Sequence, residues 1–169
     1  MRTTSVVLVV CALAGAGFAF QEKPAATKSS DATAVKKAAS AGPGETALSA
    51  YHAGPWEEKI GYSQAVRAGH TIYISGTVGA DEKGFPKDLE AQMRLAYAAI
   101  EKTLEQYGAN VSDVAMERIY TTDMDALIKL QEVRKGVYGK WLPAATWVEV
   151  RRLYVPEAMI EIEVEVVVE

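Results

Sequence analysis

Cysteine and histidine are almost absent from this chain of 169 residues, which contains only Cys11, His52 and His70. Cys11 lies in an apolar segment that we expect to be removed, so the mature chain would have no disulfide, thiol nucleophile or cysteine metal site. The two histidines are far apart in sequence, which makes a metal site unfavourable. We predict that His70 is an exposed turn residue after Gly69, and that His52 is a loop residue without a partner.

An excess of positive charge is also missing. The chain has 18 basic and 22 acidic residues, and beyond residue 46 the numbers are 13 and 19, a net charge of −6. A broad nucleic-acid-binding face needs a basic patch that neutralises phosphates. We therefore expect no nucleic-acid partner.

No apolar run is long enough for an ordinary membrane span. The run Val6–Phe20 follows Arg2, ends in small residues and is succeeded by polar residues. It is shorter than the roughly 20 residues that a span requires, and this layout is typical of a secretory signal peptide cleaved after Ala19. The sequence predicts a secreted or periplasmic protein without a membrane span in the mature chain. An uncleaved anchor is the alternative, whereas a lipoprotein is disfavoured because Val10 precedes Cys11.

Large apolar residues are missing from Gln21 to Ser49, apart from Val35 and Leu48. A segment rich in Ala, Lys, Ser and Gly cannot bury enough surface to offset the entropy lost on ordering. The predicted organisation is a signal peptide over 1–19, a flexible linker over 20–49 and one domain over 50–169.

The domain contains alternating strand patterns and two amphipathic helix patterns. Asp88 and Asp123 are predicted helix N-caps. The elements are predicted strands at 63–68, 71–75, 115–122, 143–152 and 159–168, and predicted helices at 89–107 and 123–138. This order, β-β-α-β-α-β-β, predicts a two-layer α/β (α+β) sandwich with the helices on one sheet face.

The last two strands alternate strictly. If they pair, the carboxylates of Glu161, Glu163 and Glu165 lie near Trp147 on one sheet face, and an aliphatic row faces the helices. Like charges in such a row repel one another when desolvated. We therefore expect this face to line a wet space between subunits of a symmetric oligomer, with a monomer that has one solvated face as the alternative.

Several short motifs occur in a fixed order: GYSQAV at 61–66, ISG at 74–76, TDM at 122–124, PAAT at 143–146, VEV at 148–150 and IEIE at 160–163. Together they resemble the Rid family, also called YjgF or L-PSP, across Trp56 to Val168. The resemblance implies a chorismate-mutase-like fold and a homotrimer with a small-molecule ligand cleft at each subunit interface. It also implies hydrolysis of reactive enamines and imines, such as 2-aminoacrylate, without a cofactor.

The resemblance carries four residues over directly. Tyr62 matches the pocket tyrosine of a G-P-Y-S type motif, although the proline is missing here, and Ser75 and Gly76 match the pocket S-G pair. Glu161 matches the acidic residue that positions the attacking water, a role that suits a carboxylate within hydrogen-bond reach. The alternative for Glu161 is one rung of an exposed glutamate row.

The sequence departs from the family at Ala145, where deaminating members have an arginine that grips the substrate carboxylate. Trp147 replaces a small residue, and Gln131 stands near the place of an asparagine. We hypothesise that Arg118, or Arg152 if the local register differs, supplies a replacement anion anchor. The alternative is an ordinary surface charge.

Three functions remain open at this stage. The first is an exported hydrolase of a small enamine or imine, with Glu161 positioning water and Tyr62, Ser75 and Trp147 shaping the cleft. The second is a non-catalytic trimer that binds a small ligand or acts as a chaperone. The third, an endoribonuclease, is disfavoured by the acidic domain and the absence of a histidine pair.

Overall fold

The computed structural model describes residues 47–169, so the predicted signal peptide and nearly all of the predicted linker lie outside the described residues. Within this range the chain forms six strands and four helices, together with a 3₁₀ turn at Val111–Asp113. In order they are β1 (Leu48–Tyr51), α1 (Trp56–Ile60), β2 (Ala65–Ala68), β3 (Thr71–Val78), α2 (Leu89–Glu105), β4 (Val114–Thr121), α3 (Met124–Lys129), α4 (Gln131–Tyr138), β5 (Ala144–Glu149) and β6 (Ile160–Val167).

The strands form one sheet in the order β1-β2-β3-β6-β4-β5. The pair β4 and β5 is parallel and is connected through α3 and α4, and the other pairs are antiparallel. The predicted two-layer sandwich and the β-β-α-β-α-β-β order are confirmed. The short elements β1 and α1 were not predicted, because four or five residues give too little periodicity to detect.

Helix α2 covers the middle of the sheet. Asp88 caps it as predicted, accepting a hydrogen bond from the Ala91 N–H at 2.8 Å. The predicted apolar stripe is buried against β3 and β6, apart from Tyr107, which is half-buried. The core side chains that meet it include Ile72, Ile74, Ile119, Ile160, Ile162, Val164 and Val166.

The second predicted helix is divided in two. Asp123 begins α3 as predicted, since its carboxylate accepts from the Ala126 N–H at 2.9 Å. At Leu130 the chain leaves the regular helix, and its N–H bonds to the Leu127 carbonyl three residues back. Leu127 is buried and Leu130 packs against the core, whereas Ile128 is 47% exposed. Leu130, and not Ile128, therefore contributes to the buried side of this segment.

The expected pairing of the last two strands is wrong. Strand β6 lies between β3 and β4, and β5 is an edge strand that pairs with β4. Trp147 is the register partner of Ile119, which is fully buried beneath the helices, whereas Glu161 is the partner of Tyr120. Trp147 and the glutamate row therefore lie on opposite faces of the sheet. Alternation within a strand shows which residues share a face, but it does not show which face of one strand aligns with which face of another.

We call the sheet face opposite the helices, which carries Glu161, Glu163 and Glu165, the open face. Its β4 side chains are those of Met116, Arg118 and Tyr120. Within residues 47–169 no helix combines the length and apolar character needed to cross a bilayer.

Candidate functional site

Strand β3 is irregular at Ser75 and Gly76, where its register with β6 shifts. The Ser75 hydroxyl donates to the Ser63 carbonyl at 2.7 Å, and the Ser75 N–H donates to the Gln64 carbonyl at 2.9 Å. The Glu161 carboxylate occupies the space that a side chain at position 76 would need, so this close approach requires glycine. Three of the predicted site residues, Ser75, Gly76 and Glu161, are neighbours in the fold.

The segment that holds Ser75 is itself fixed by Glu57, a fully buried carboxylate on α1. Glu57 accepts hydrogen bonds from the N–H groups of Ala53, Gly54 and Gln64 at 2.8, 3.2 and 2.9 Å. His52 Nδ1 lies 3.2 Å from the same carboxylate, so the prediction that His52 has no partner is wrong. These contacts are expected for a buried charge, which is costly unless it is hydrogen-bonded. Sequence reasoning missed Glu57 because it stands among polar residues.

Tyr62 lies in the connection between α1 and β2. Its N–H donates to the Glu57 carbonyl at 3.1 Å, and its side chain is half-buried. It directly precedes Ser63, whose carbonyl holds Ser75, so it lies at the same end of the sheet. Gln131, in contrast, is exposed at the first residue of α4 in the helix layer.

Glu161 is half-buried at the wall of a groove on the open face. Burial raises the pKa of its carboxyl group, and the negative charge of Glu163 raises that pKa further. The groove has a volume of about 320 Å³. It is lined by Tyr120, Val150, Arg152, Leu153, Tyr154, Glu161 and Glu163.

Arg118 lies on the open face but is held by two carboxylates. Its guanidinium donates to Glu163 at 3.0 Å and to Glu165 at 2.8 Å, and these bonds raise the pKa of Arg118. The Tyr120 hydroxyl also bonds to Glu163, although burial is the main reason that the pKa of this tyrosine is raised. Glu163 and Glu165 are therefore paired with Arg118. The Arg118 guanidinium is largely occupied by them and is a poor candidate for binding the negative group of a ligand.

Ala145 and Trp147 lie on the helix side of the sheet. Ala145 is the register partner of Glu117 and is exposed at the edge strand, whereas Trp147 is half-buried. Neither residue lines the groove that contains Glu161. Within one protomer, the expected cleft that combines Trp147 with Glu161 is not formed.

The arrangement around Glu161 suits acid–base chemistry on a small molecule. A carboxylate whose pKa is raised toward neutrality is a better proton acceptor than a fully solvated one, provided that it reaches the reacting water. In the described part of the chain, no group of three or more His, Cys, Asp or Glu side chains is placed to hold a metal ion.

A protein-family model described as endoribonuclease L-PSP matches residues 56–168. The chain belongs to this family. The predicted Rid, YjgF or L-PSP membership is thereby confirmed, and the match begins and ends where the motifs indicated. The names endoribonuclease and imine deaminase both occur in the family, so membership alone gives the fold and not the reaction.

Relatives of this L-PSP chain include a RutC family protein of Pyrococcus horikoshii. It is 35% identical over 105 residues, which cover 60% of this chain and 82% of the relative. A 2-iminobutanoate/2-iminopropanoate deaminase of Dermatophagoides farinae is 33% identical over 114 residues, covering 64% of this chain and 86% of the relative. Among solved structures, a YjgF/YER057c/UK114 family member from Mycobacterium tuberculosis matches with a TM-score of 0.66 and 36% identity, covering 72% of this chain and all of that one.

The L-PSP domain also contains a buried polar cluster that sequence reasoning missed. Glu117, fully buried on β4, accepts hydrogen bonds from the hydroxyls of Tyr97 and Tyr138 at 2.7 and 2.8 Å. The Nε of Arg134 completes the cluster as an ion pair with Glu117. Arg134 Nη2 and Trp147 Nε1 are buried and have no hydrogen-bond partner in the described part of the chain, and the guanidinium lies over the rings of Tyr138 and Trp147. The sequence did contain one signal for this cluster. Glu117 lies two residues before Ile119, so the two side chains point to the same face of the strand.

Proposed function

We propose that the protein hydrolyses a small imine or enamine to a keto compound and ammonia, with Glu161 as the general base and without a cofactor. One observation carries this proposal. The Glu161 carboxylate is half-buried, packed over the side-chain-free Gly76, and borders a groove large enough for a small molecule.

The chemistry requires one base and one water. Glu161 removes a proton from water as the water oxygen forms a bond to the imine carbon, and the π electron pair moves to nitrogen. Glu161 gives that proton to the nitrogen, which yields the neutral carbinolamine. Glu161 then removes the hydroxyl proton as the C=O bond forms and passes it to the nitrogen as the C–N bond breaks, so ammonia leaves and the carboxylate is regenerated.

The Dermatophagoides farinae relative is named as a deaminase of 2-imino acids, which supports this reaction class for the present chain. The word endoribonuclease in the family description favours a different reaction. The domain's net charge of −6 and the carboxylates of the open face oppose the approach of a polyanion such as RNA. Imine hydrolysis is therefore the function that we place first.

We further propose that the working unit is a homotrimer whose open faces meet. The open face leaves Tyr73, Val148 and Val167 substantially exposed beside the glutamate row, and exposed apolar groups of this kind are typical of an interface. Position 145 and Glu161 lie on opposite faces of one protomer's sheet, so a site that combined them would require a second protomer.

The reaction is tested by measuring ammonia release from freshly generated 2-iminopropanoate, above the spontaneous rate. We expect the native chain to accelerate it, and Glu161→Gln to lower kcat roughly 100-fold or more, because the amide cannot accept the proton. Glu101→Gln is the control, because Glu101 is an exposed glutamate of α2 that does not line the groove. It should stay within a few-fold of the native rate.

Two results would contradict the proposal. The first is a native chain that does not accelerate hydrolysis of any small imine, and the second is a Glu161→Gln variant that is as active as the native chain. Saturable binding of small carbonyl compounds without turnover would favour the non-catalytic ligand-binding function instead. That outcome would fit the absence of an arginine at position 145.

Export is a separate proposal, supported by the composition of residues 1–19. We expect expression in a bacterium with a functional export system to give a mature chain that begins at Phe20. Mass spectrometry of the product tests this, and an intact chain that keeps residues 1–19 would contradict it.

A further inference from the structure

Arg152 is a second charged residue that borders the groove beside Glu161. Its side chain is exposed, and within residues 47–169 no carboxylate forms an ion pair with it. Arg118 and Arg134, in contrast, are occupied, since Arg118 binds two glutamates and Arg134 binds Glu117. Arg152 is thus a guanidinium with unused hydrogen-bond donors at the groove wall.

The backbone that carries Arg152 is well anchored. Val150, just after β5, donates its N–H to the Thr121 carbonyl at 2.8 Å. Leu153 and Val155 are buried and pack with Ala158 in a small apolar cluster. The chain is therefore fixed on both sides of Arg152, while the guanidinium is free to turn toward a ligand.

The charges of the groove favour a ligand with one negative group. Glu163 and Glu165 share Arg118, so of the charged residues that line the groove, Glu161 and Arg152 have no ion pair within residues 47–169. A guanidinium binds a carboxylate through two parallel hydrogen bonds, whereas a neutral group gains little from it. The volume of about 320 Å³ is at the small end for ligand sites and is sufficient for a small acid.

We propose that Arg152 binds the carboxylate of a small 2-imino or 2-keto acid in this groove, and so sets the specificity of the site. It provides the anion anchor that the alanine at position 145 cannot provide. The link to turnover rests on the proposed imine hydrolysis, but the binding assignment does not. Of the two arginines that the sequence offered as replacements, the fold favours Arg152 over Arg118.

The test uses 2-oxobutanoate, a stable keto acid, and its neutral amide as probes, titrated into the full chain and followed by NMR or calorimetry. The native chain should bind the acid more tightly than the amide. Arg152→Gln should weaken binding of the acid by roughly tenfold or more, and should remove the preference over the amide. Arg152→Lys should retain part of that preference.

Arg151→Gln is the matched control, because Arg151 is the adjacent exposed arginine and does not line the groove. It should change binding of the acid by less than about twofold, as expected for a surface charge away from the ligand. Thermal melting of each variant checks that it is folded. If Arg152→Gln binds the acid as the native chain does, or if Arg151→Gln weakens binding as strongly, the assignment is overturned.

The two proposals fail in different ways. Binding of the keto acid that depends on Arg152, in a chain without imine turnover, would support the assignment and reject the hydrolysis. Turnover that depends on Glu161, together with binding of the acid that is insensitive to Arg152, would support the hydrolysis and reject the assignment of Arg152.

Discussion

The carboxylates of Glu117 and Glu161 differ in how the fold accommodates their burial. Glu117 is fully buried, with two tyrosine hydroxyls and one guanidinium bonded to its carboxylate. Within residues 47–169 no such donors are found on Glu161, and burial raises its pKa. The three donors on Glu117 offset the cost of burying its carboxylate, whereas a partly buried carboxyl group with a raised pKa is suited to exchange a proton.

We predict that Glu117 and Arg134 stabilise the domain as a unit. Removing one partner of a buried ion pair typically costs about 3–5 kcal/mol, because the other charge is left uncompensated. Glu117→Gln and Arg134→Met should each destabilise by about 3 kcal/mol in urea unfolding. The double variant should lose clearly less than the sum of the two, since it leaves no isolated charge.

Lys135→Met is the control for this cycle. Lys135 is the next residue of α4 and forms an exposed ion pair with Glu132, so its replacement should change the free energy of unfolding by less than about 0.5 kcal/mol. Strictly additive losses in the Glu117/Arg134 cycle would show that the two residues do not act together.

At the scale of elements, the sequence predicts what is encoded locally. The caps at Asp88 and Asp123 and the stripe of α2 depend on neighbours within a few residues, and all are found. The short strand β1 and helix α1 are too brief for a periodic signal. The break at Leu130 is invisible because the apolar spacing continues through it.

Strand order is encoded non-locally, and there the prediction fails. The alternation of β5 and β6 does not indicate that β4 and β6 are neighbours. The expectation from sequence is therefore that the consecutive strands β5 and β6 pair. This one difference moves Trp147 to the helix side. Ser75, Gly76 and Glu161 lie together, as the resemblance implied, because β3 and β6 pair. Ala145 and Trp147 do not join them within one protomer.

Taken as a whole, the molecule has one face covered by helices and one that is not. The open face combines exposed apolar side chains with a network of Arg118, Glu163 and Glu165. Such a mixture is typical of an interface that must fix orientation as well as exclude water. The homotrimer proposed above would cover this face.

Sedimentation equilibrium tests the trimer directly. We expect a mass of about three times that of the protomer. Arg118→Glu, which adds a fourth carboxylate to the open face, should dissociate it, because like charges would meet at the interface. Arg94→Glu on the exposed side of α2 should not. A folded native protomer that sediments alone at working concentrations, or a trimer unaffected by Arg118→Glu, would contradict this arrangement.

The pH dependence of imine hydrolysis tests the role of Glu161 most directly. Because the base must be ionised, kcat/KM should rise with pH through the pKa of Glu161, with a midpoint above that of a free glutamate. Glu163→Gln removes a negative neighbour that raises this pKa, so it should move the rising limb to lower pH. If the rising limb of the pH profile keeps its midpoint in Glu163→Gln and is still present in Glu161→Gln, another group is the base.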